Sequence, residues 1–480
     1  MGLADQFFSS VVRGRRRPKL TNLLKALTAI VDVADERLNS ISSSDILQRR
    51  LQSRTDATLS PLFDRVRAAD VAFTNLEVLA NDYRGEPALE SGGSHFGAPA
   101  WVLDELTEAG FDLFATATNH CLDYSISGLL HSIEAMEARG LSFAGVGRNL
   151  EDARRPCYHT HPQGTVAMIS CASSFAKGQE ASAQRPDLPG RPGLNPLHFE
   201  TMHEVTEAQL ATLREIAEQT GLEAERLQKI KMGFVFPPSD PSVFPLNGMN
   251  FRHAPPSTNK AAVRTTASAK DISGIVRWIK EARGLADLVL VSLHAHEQGE
   301  SKEIPAEFIP VFAREMIDAG ADLVVGHGAH LLRGMEIHKG KPIFYSLGNF
   351  IGQNELVPKM PSDAYERFRA DPDLTPGQVY QKRTNNDRGG FPSDRRYWES
   401  VAPVLTYEGG ALKGIEFLPV SLGWTEPRHK RGRPRLAEGE EAQSILQRFA
   451  DLCRPFGTVL DLGAQSATVD GRHFATPPAE

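Results

Sequence analysis

"LVVGHGAHLLRGMEIHKGKPIFYSLGNF", residues 323–350, opens as a short apolar run, breaks at Gly326, and sets His327 and His330 three residues apart beside the break. A run of this length, rich in β-branched residues and closed by a turn former, reads as a buried strand. The stretch before it, "PAEFIPVFAREMIDAG" (305–320), spaces its apolar residues for a helix and ends on glycine. Before that lie a second apolar strand, "ADLVLVSLHAHE" (286–297), and a second helix, "DISGIVRWIKEARG" (271–284). The segment "GKPIFYSLGNF" (340–350) carries no helical spacing, so it pairs as a return strand. Strands alternating with helices in this order imply an α/β sheet.

The same rhythm runs through the first third of the chain. A strand "VAFTNLE" (71–77) is followed by a helix "WVLDELTEAG" (101–110), a strand "FDLFATA" (111–117), a helix "SGLLHSIEAMEARG" (127–140), and strands "LSFAG" (141–145) and "TVAMIS" (165–170). Ahead of them, "TNLLKALTAIVDVADERL" (21–38) has Thr21 as a cap and apolar residues at Leu23, Leu24, Leu27, Ile30 and Val31, which predicts a helix. The middle departs from the pattern. Residues 184–197, "QRPDLPGRPGLNPL", read as an ordered irregular loop or a linker, and Thr206 with Gln209 forms a capping box opening a helical hairpin over 206–233. The following "FPPSDPSVFPLNGMNFRHAPP" (236–256) is too rich in proline for a core strand. Near the end, "VAPVLTYEGGALKGIEFLPVSL" (401–422) reads as a hairpin turning at Gly409 and Gly410, and "EEAQSILQRFADLC" (440–453) as one more helix.

Composition narrows the function classes. With 480 residues, 41% of them hydrophobic and 24% charged, the chain is of the folded globular class. A formal net charge of -7 argues against non-specific nucleic-acid binding, and the one dense basic run, "RGRRRPK" (13–19), reads as a solvated segment. No run approaches the roughly 18 apolar residues of a membrane span. The 4 cysteines are scattered with no CxxC spacing, which suits reduced thiols in the cytoplasm.

Candidate chemistry gathers where ligands of open α/β folds bind, beyond the carboxyl ends of strands. Four strands end in metal-capable residues: Asn75 and Glu77; Asn119, His120 and Asp123; His294, His296 and Glu297; His327 and His330. Each has an ordinary alternative. His120 could cap a helix, Asn75 and Asn119 are common turn residues, and His296 and Glu297 would simply face solvent. Repetition of one placement on four strands favours a shared site. Carboxylate oxygens mixed with imidazole nitrogens suit one or two divalent ions, Mn, Fe or Zn, with Glu77 as the best bridge. His120, its tautomer fixed by Asp123, reads as a general acid for a leaving group.

The strings "ADVAFTNLE", "FDLFATATNHCLDYSISGLLHSIEAMEARGLSFAGVGRNLEDAR", "LVLVSLHAHE" and "GHGAHLLRGMEIHKGKPIFYSLGNFI" occur in this order and closely resemble the CapA family of bacterial capsule and poly-γ-glutamate synthesis. The resemblance runs from about residue 40 to 425. It implies a four-layer α/β sandwich of the calcineurin-like metallophosphoesterase type with a metal site at one edge. Onto that site it maps Asn75 and Glu77, Asn119 and His120, His294, and the Gly-His-x-x-His box at Gly326, His327 and His330. The family's first motif is an apolar strand followed by Gly-Asp and then Arg. Here "SISSSDILQRRL" (40–51) stands in that place with serine for the glycine, which makes Asp45 the aspartate ligand, ahead of Arg49 and Arg50.

The resulting expectation is a main domain over 41–425 with an insertion at about 184–256, a basic helical extension over 1–40, and a C-terminal extension over 426–480. Two functions fit. One is a metal-dependent hydrolase of a phosphoester or γ-glutamyl amide bond, with Asp45, Glu77, Asn119, His294, His327 and His330 on metal. Its catalytic pair would be His120 and Asp123, and Asn75, Arg49, Arg50, Arg148 and Arg333 would hold an anionic substrate, arginine forks suiting carboxylate and phosphate. The other is a non-catalytic polyglutamate-binding or assembly factor that keeps the fold with an altered first motif.

Overall fold

The apolar runs singled out above become the strands of two facing sheets. A computed structural model of the chain describes residues 24–32 and 53–469 apart from 92, 256, 258–259, 353–356 and 429, together with residue 474; for 24–32 the backbone alone is described. In chain order the strands are β1 (Leu24–Asp32), β2 (Val71–Leu76), β3 (Leu113–Ala115), β4 (Ser142–Ala144), β5 (Val146–Gly147), β6 (Cys157–His161), β7 (Gly164–Ala172) and β8 (Gly193–Leu194). They continue with β9 (Phe199–Val205), β10 (Phe244–Leu246), β11 (Met249–His253), β12 (Ala262–Ala267), β13 (Leu288–His294), β14 (Leu323–His327), β15 (Leu332–His338) and β16 (Lys341–Leu347). The last are β17 (Ile351–Gly352), β18 (Glu399–Glu408), β19 (Ala411–Ser421), β20 (Arg435–Leu436), β21 (Leu460–Leu462) and β22 (Ala467–Val469).

One sheet runs β21-β22-β19-β18-β1-β2-β3-β4, with β17 beside β1 and β20 beside β19; the other runs β15-β16-β14-β13-β7-β6. Strands β1 to β4 are mutually parallel, as are β7, β13, β14 and β16, while β15 returns antiparallel against β16. Strict alternation along β13 shows why these strands read as continuous apolar runs. Leu288 and Leu290 point into the core between the sheets with Phe73, Met168, Phe344 and Phe417. Val289, Val291 and Leu293 point the other way, onto Ile275, Ile279, Phe312 and Met316 of the helices Ala269–Leu285 and Phe308–Ala319. The helices Ser60–Arg67, Trp101–Ala109 and Ser125–Glu137 cover the outer face of the larger sheet through Phe63, Leu103, Leu106 and Ile133. Each fully buried side chain of this size contributes about 1.5–3 kcal/mol through burial, so the layers stand on apolar contact and not on surface ion pairs. Among the described residues no helix is long and apolar enough to cross a membrane.

Three expectations need correction. The helix predicted from Thr21 is strand β1, and it lies inside the larger sheet between β18 and β2, not in a helical extension over 1–40. Apolar periodicity does not separate a short buried helix from a strand; here Ala26 to Val31 pair in register with Val71 to Leu76, and that pairing decides. The proline-rich stretch does hold strands, but in a small separate sheet. β10 and β11 turn at Asn247–Gly248, both at positive φ (48° and 81°), the dipeptide that a tight hairpin favours. They join β9 and β12 in a small sheet ordered β10-β11-β9-β12. The inserted lobe therefore runs from Phe199 to Ala267, not over 184–256, because residues 184–197 stay on the main body, where β8 pairs with β5.

The helical hairpin is present as Glu207–Gln219 and Leu222–Lys231, its first turn held by the capping box of Thr206 and Gln209. With the small sheet it encloses a minor core of Leu210, Ala217, Phe244 and Phe251. The hairpin of β18 and β19 turns at Gly409 and Gly410 with φ of 60° and 80°. The C-terminal helix Gly439–Cys453 packs into the core between the sheets through Ile445, Leu446 and Phe449.

Candidate metal centre

The carboxyl ends of β2, β13 and β14 converge at one edge. His294 and His327 are register partners at the ends of their strands. Gly326, one residue before, has no room for a side chain, since a Cβ there would lie 2.6 Å from the Tyr345 carbonyl oxygen. Its role is thus close approach of β14 to β16, and the turn falls to Gly328 (φ 102°) and His330 (φ 62°). A histidine held in the left-handed region is uncommon and clusters at functional sites.

Glu77 is fully buried, and Asn75 Nδ2 donates to its Oε2 at 3.2 Å. Its Oε1 lies 3.6 Å from His294 Nε2 and 3.8 Å from His330 Nε2. His296 completes the group, its Nε2 3.0 Å from that of His294. One ligand atom each from Glu77, His294 and His296 fall within 4.8 Å of one another. His327 stands just behind, with Nδ1 3.0 Å from His294 Nδ1 and Nε2 2.6 Å from the Ser292 hydroxyl. His330 is aimed by Asn349, whose Oδ1 is 2.9 Å from His330 Nδ1. Burial holds His327 down to about 3 and His330 to about 4. Burial, together with the neighbouring imidazoles, holds His294 and His296 well below the ordinary range. All four rings are therefore neutral near pH 7, the form that lends a lone pair to a metal.

His120 stands beside this cluster, close enough that its charge disfavours protonation of His294, His296 and His330. Its Nδ1 is 2.7 Å from Asp123 Oδ2, which also accepts from the Phe96 amide at 2.7 Å. The Phe96 ring covers His120, with centroids 4.3 Å apart. Donor chemistry fits a divalent transition ion. Three imidazoles and a carboxylate point together, and the side-chain oxygens Asn75 Oδ1 and Asn119 Oδ1 are buried with no hydrogen-bond partner among the described residues.

Two candidate arginines are used elsewhere. Arg148 forks onto Glu137 at the surface, both bonds 2.8 Å. Arg333 is 1% exposed, and its guanidinium serves main-chain carbonyls. Nε donates to Lys302 at 2.9 Å, Nη2 to Glu297 at 2.9 Å and His296 at 3.3 Å, and Nη1 to Ala295 at 3.4 Å. It braces the segment that carries His296 and is not turned to a substrate. Glu297, metal-capable by sequence with a solvent-facing position as its ordinary alternative, instead accepts from the hydroxyls of Ser173 and Ser174 at 2.6 and 2.7 Å.

Asp45, Arg49 and Arg50 lie outside the described residues. The edge nevertheless has an aspartate on its first strand. β1 ends at Asp32, which pairs with Gly352 of β17 and stands one position beyond the Val31–Leu76 pair, level with Glu77. An apolar strand running into an aspartate, with Arg37 a few residues on, is the pattern sought at Asp45. The helix reading of 21–38 concealed it. His296, metal-capable by sequence but left out of the expected ligand set, joins the group here. It stands two residues past His294, and an alternating period was the available signal.

A cavity of about 820 Å³ lies in the inserted lobe, lined by residues such as Arg226, Asp240 and Arg252, and shares none of these groups.

Comparison with known proteins agrees with the family resemblance. The family model described as "Bacterial capsule synthesis protein PGA_cap" matches residues 40–354. The chain is 33% identical over 427 residues to "Uncharacterized protein y4sH" of Sinorhizobium fredii (strain NBRC 101917 / NGR234), covering 86% of this chain and 88% of that one. It is 24% identical over 257 residues to "Capsule biosynthesis protein CapA" of Bacillus anthracis, covering 54% of this chain and 44% of that one. It is also 23% identical over 258 residues to "Probable polyglutamine synthesis accessory protein Rv0574c" of Mycobacterium tuberculosis (strain ATCC 25618 / H37Rv), covering 54% of this chain and 48% of the other. With residues 40–354 of its 480 matched, this chain belongs to the bacterial capsule synthesis protein PGA_cap family.

Proposed function

We propose that this chain is a metal-dependent hydrolase with a calcineurin-like, four-layer metallophosphoesterase architecture. It would cleave a phosphoester or a γ-glutamyl amide bond in an anionic substrate connected with polyglutamate or capsule metabolism. The observation that carries this reading is the convergence of Glu77 with Nε2 of His294, His296 and His330 at one sheet edge. Asp32, at the end of β1, and Asn119, whose Oδ1 is buried with no hydrogen-bond partner among the described residues, would serve as further ligands.

A bound divalent ion supplies Lewis acidity and lowers the pKa of water. The remaining work falls to the chain. Ser292 and Asn349 orient His327 and His330, and Arg333 holds the His296 segment in place. Asp123 fixes the proton of His120 on Nδ1, so that Nε2 exchanges a proton with the leaving group. Phe96 keeps bulk water from that ring. Metal analysis of protein purified without chelator, compared with His294→Ala, tests the reading, and absence of a transition metal from the unsubstituted protein overturns it. Metal without turnover on phosphoester and γ-glutamyl substrates favours the binding role instead.

A further inference from the structure

A cation is fixed beside the candidate centre by two independent braces. Lys302 sits on the loop after β13, and its carbonyl is held at 2.9 Å by the same Arg333 guanidinium that holds the Ala295, His296 and Glu297 carbonyls. Its ammonium donates to Tyr397 Oη at 2.8 Å and lies 5.2 Å from the Tyr397 ring centroid and 5.9 Å from that of Phe391. The two rings stack with centroids 4.2 Å apart, and Phe391 lies 5.2 Å from His330. The Tyr397 carbonyl accepts from Asn349 Nδ2 at 3.1 Å, the amide that orients His330. Lys302 is thus tied to His296 through Arg333, and its tyrosine partner is tied to His330 through Asn349.

The charge of this lysine is unspent. Its ammonium has no carboxylate within ion-pair distance among the described residues, while the adjacent Glu303 is taken by Arg448 and Arg396. An ammonium has three donors, and the tyrosine hydroxyl uses one. Ring faces stabilise a cation without neutralising it. The side chain is exposed, and its field is among those keeping His296 and His330 neutral. Phe391 and Tyr397 follow the span matched by the family model, so this wall is built by the later part of the chain.

We propose that Lys302, presented on the Phe391–Tyr397 ring pair, is a specificity-determining group that binds a second anionic group of the substrate, carboxylate or phosphate, beyond the bond cleaved at the centre. The proposal rests on the hydrolase reading for the meaning of that bond, but anion binding can be measured separately. Full-length protein loaded with Mn²⁺ is titrated calorimetrically with penta-γ-glutamate and with inorganic phosphate, alongside Lys302→Met and Lys302→Arg, and Mn content is measured in each. One probe binds the unsubstituted protein, and which one binds identifies the anion. Lys302→Met weakens it by about ten- to hundredfold, the value of a charge-assisted hydrogen bond. Lys302→Arg retains it within about threefold, and Mn content is the same in all three. Equal affinity in Lys302→Met, or no binding of either probe to the Mn-loaded unsubstituted protein, overturns the proposal. Failure to take up Mn overturns the hydrolase reading alone, because Lys302-dependent binding of a probe would still establish the anion site.

Discussion

Replacing Arg333 with methionine separates bracing from substrate binding, because methionine keeps much of the apolar stem and deletes the donors. Two of the lost bonds are short, both 2.9 Å. Hydrogen bonds to a charged group contribute about 1.5–3 kcal/mol each, so together they account for roughly 3–6 kcal/mol; those at 3.3 and 3.4 Å add little. Against this stands the cost of burying the guanidinium, which burial pushes well down from its ordinary value to about 10. A drop of that size corresponds to roughly 3 kcal/mol. The net loss is roughly 0–3 kcal/mol, centred near 1.5, falling on the segment from Ala295 to Lys302. If it falls wholly on metal binding, Mn²⁺ affinity decreases about tenfold, and at most about 150-fold. The assay is Mn²⁺ titration of the folded variant, with circular dichroism to confirm the fold and steady-state kinetics on whichever substrate is turned over. Arg333→Lys, a point charge without the fork, should recover little. Unchanged metal affinity with a raised KM would refute the bracing role and return Arg333 to the substrate.

Three other outcomes follow from the same geometry. Asp32→Asn lowers the Mn²⁺ bound per chain, whereas Asp45→Asn leaves it unchanged; the reverse result restores Asp45 as the ligand. His120→Asn lowers kcat by about 10²–10⁴ with metal content unchanged, and loss of metal in that variant would make His120 a ligand instead of an acid. Burial raises all four thiols, Cys157 and Cys453 to about 12. The native protein should therefore resist an aromatic disulfide reagent at pH 8 and titrate four thiols in guanidinium, and fast labelling of the native chain would show these sites open to solvent.

The layers were legible because each depends on local pattern. β13 and β14 announce themselves by continuous apolar runs, and the hairpin of β18 and β19 by its glycine pair. The candidate centre was legible where one side chain closes one strand, as at Glu77, His294 and His330. It was not legible where the decisive partner is remote in sequence. Whether Arg333 meets a substrate or four carbonyls depends on the loop that precedes its helix and strand, and no spacing encodes that. Tyr397 reaches Lys302 across 95 positions. β1 failed for another reason. Leu24–Asp32 fits a helix about as well as a strand until its neighbours are known, and the helix reading left Asp32 out of the candidate residues.

The inserted lobe begins and ends at one point. The amide of Ser268 donates to the His198 carbonyl at 2.7 Å, and Phe199 pairs with Ala267, so entry and exit form a two-stranded stem. Its contact with the body includes the stacked rings of Phe199 and Phe308, 4.6 Å apart, and it keeps a minor core of its own. A piece attached in this way is interchangeable. It can lengthen, shrink or be exchanged for another without altering the path of β7 or β13, and the loop after its second helix exposes Phe234 and Phe236 at 72% and 87%. Divergence among relatives should concentrate there, leaving the histidine edge under separate selection.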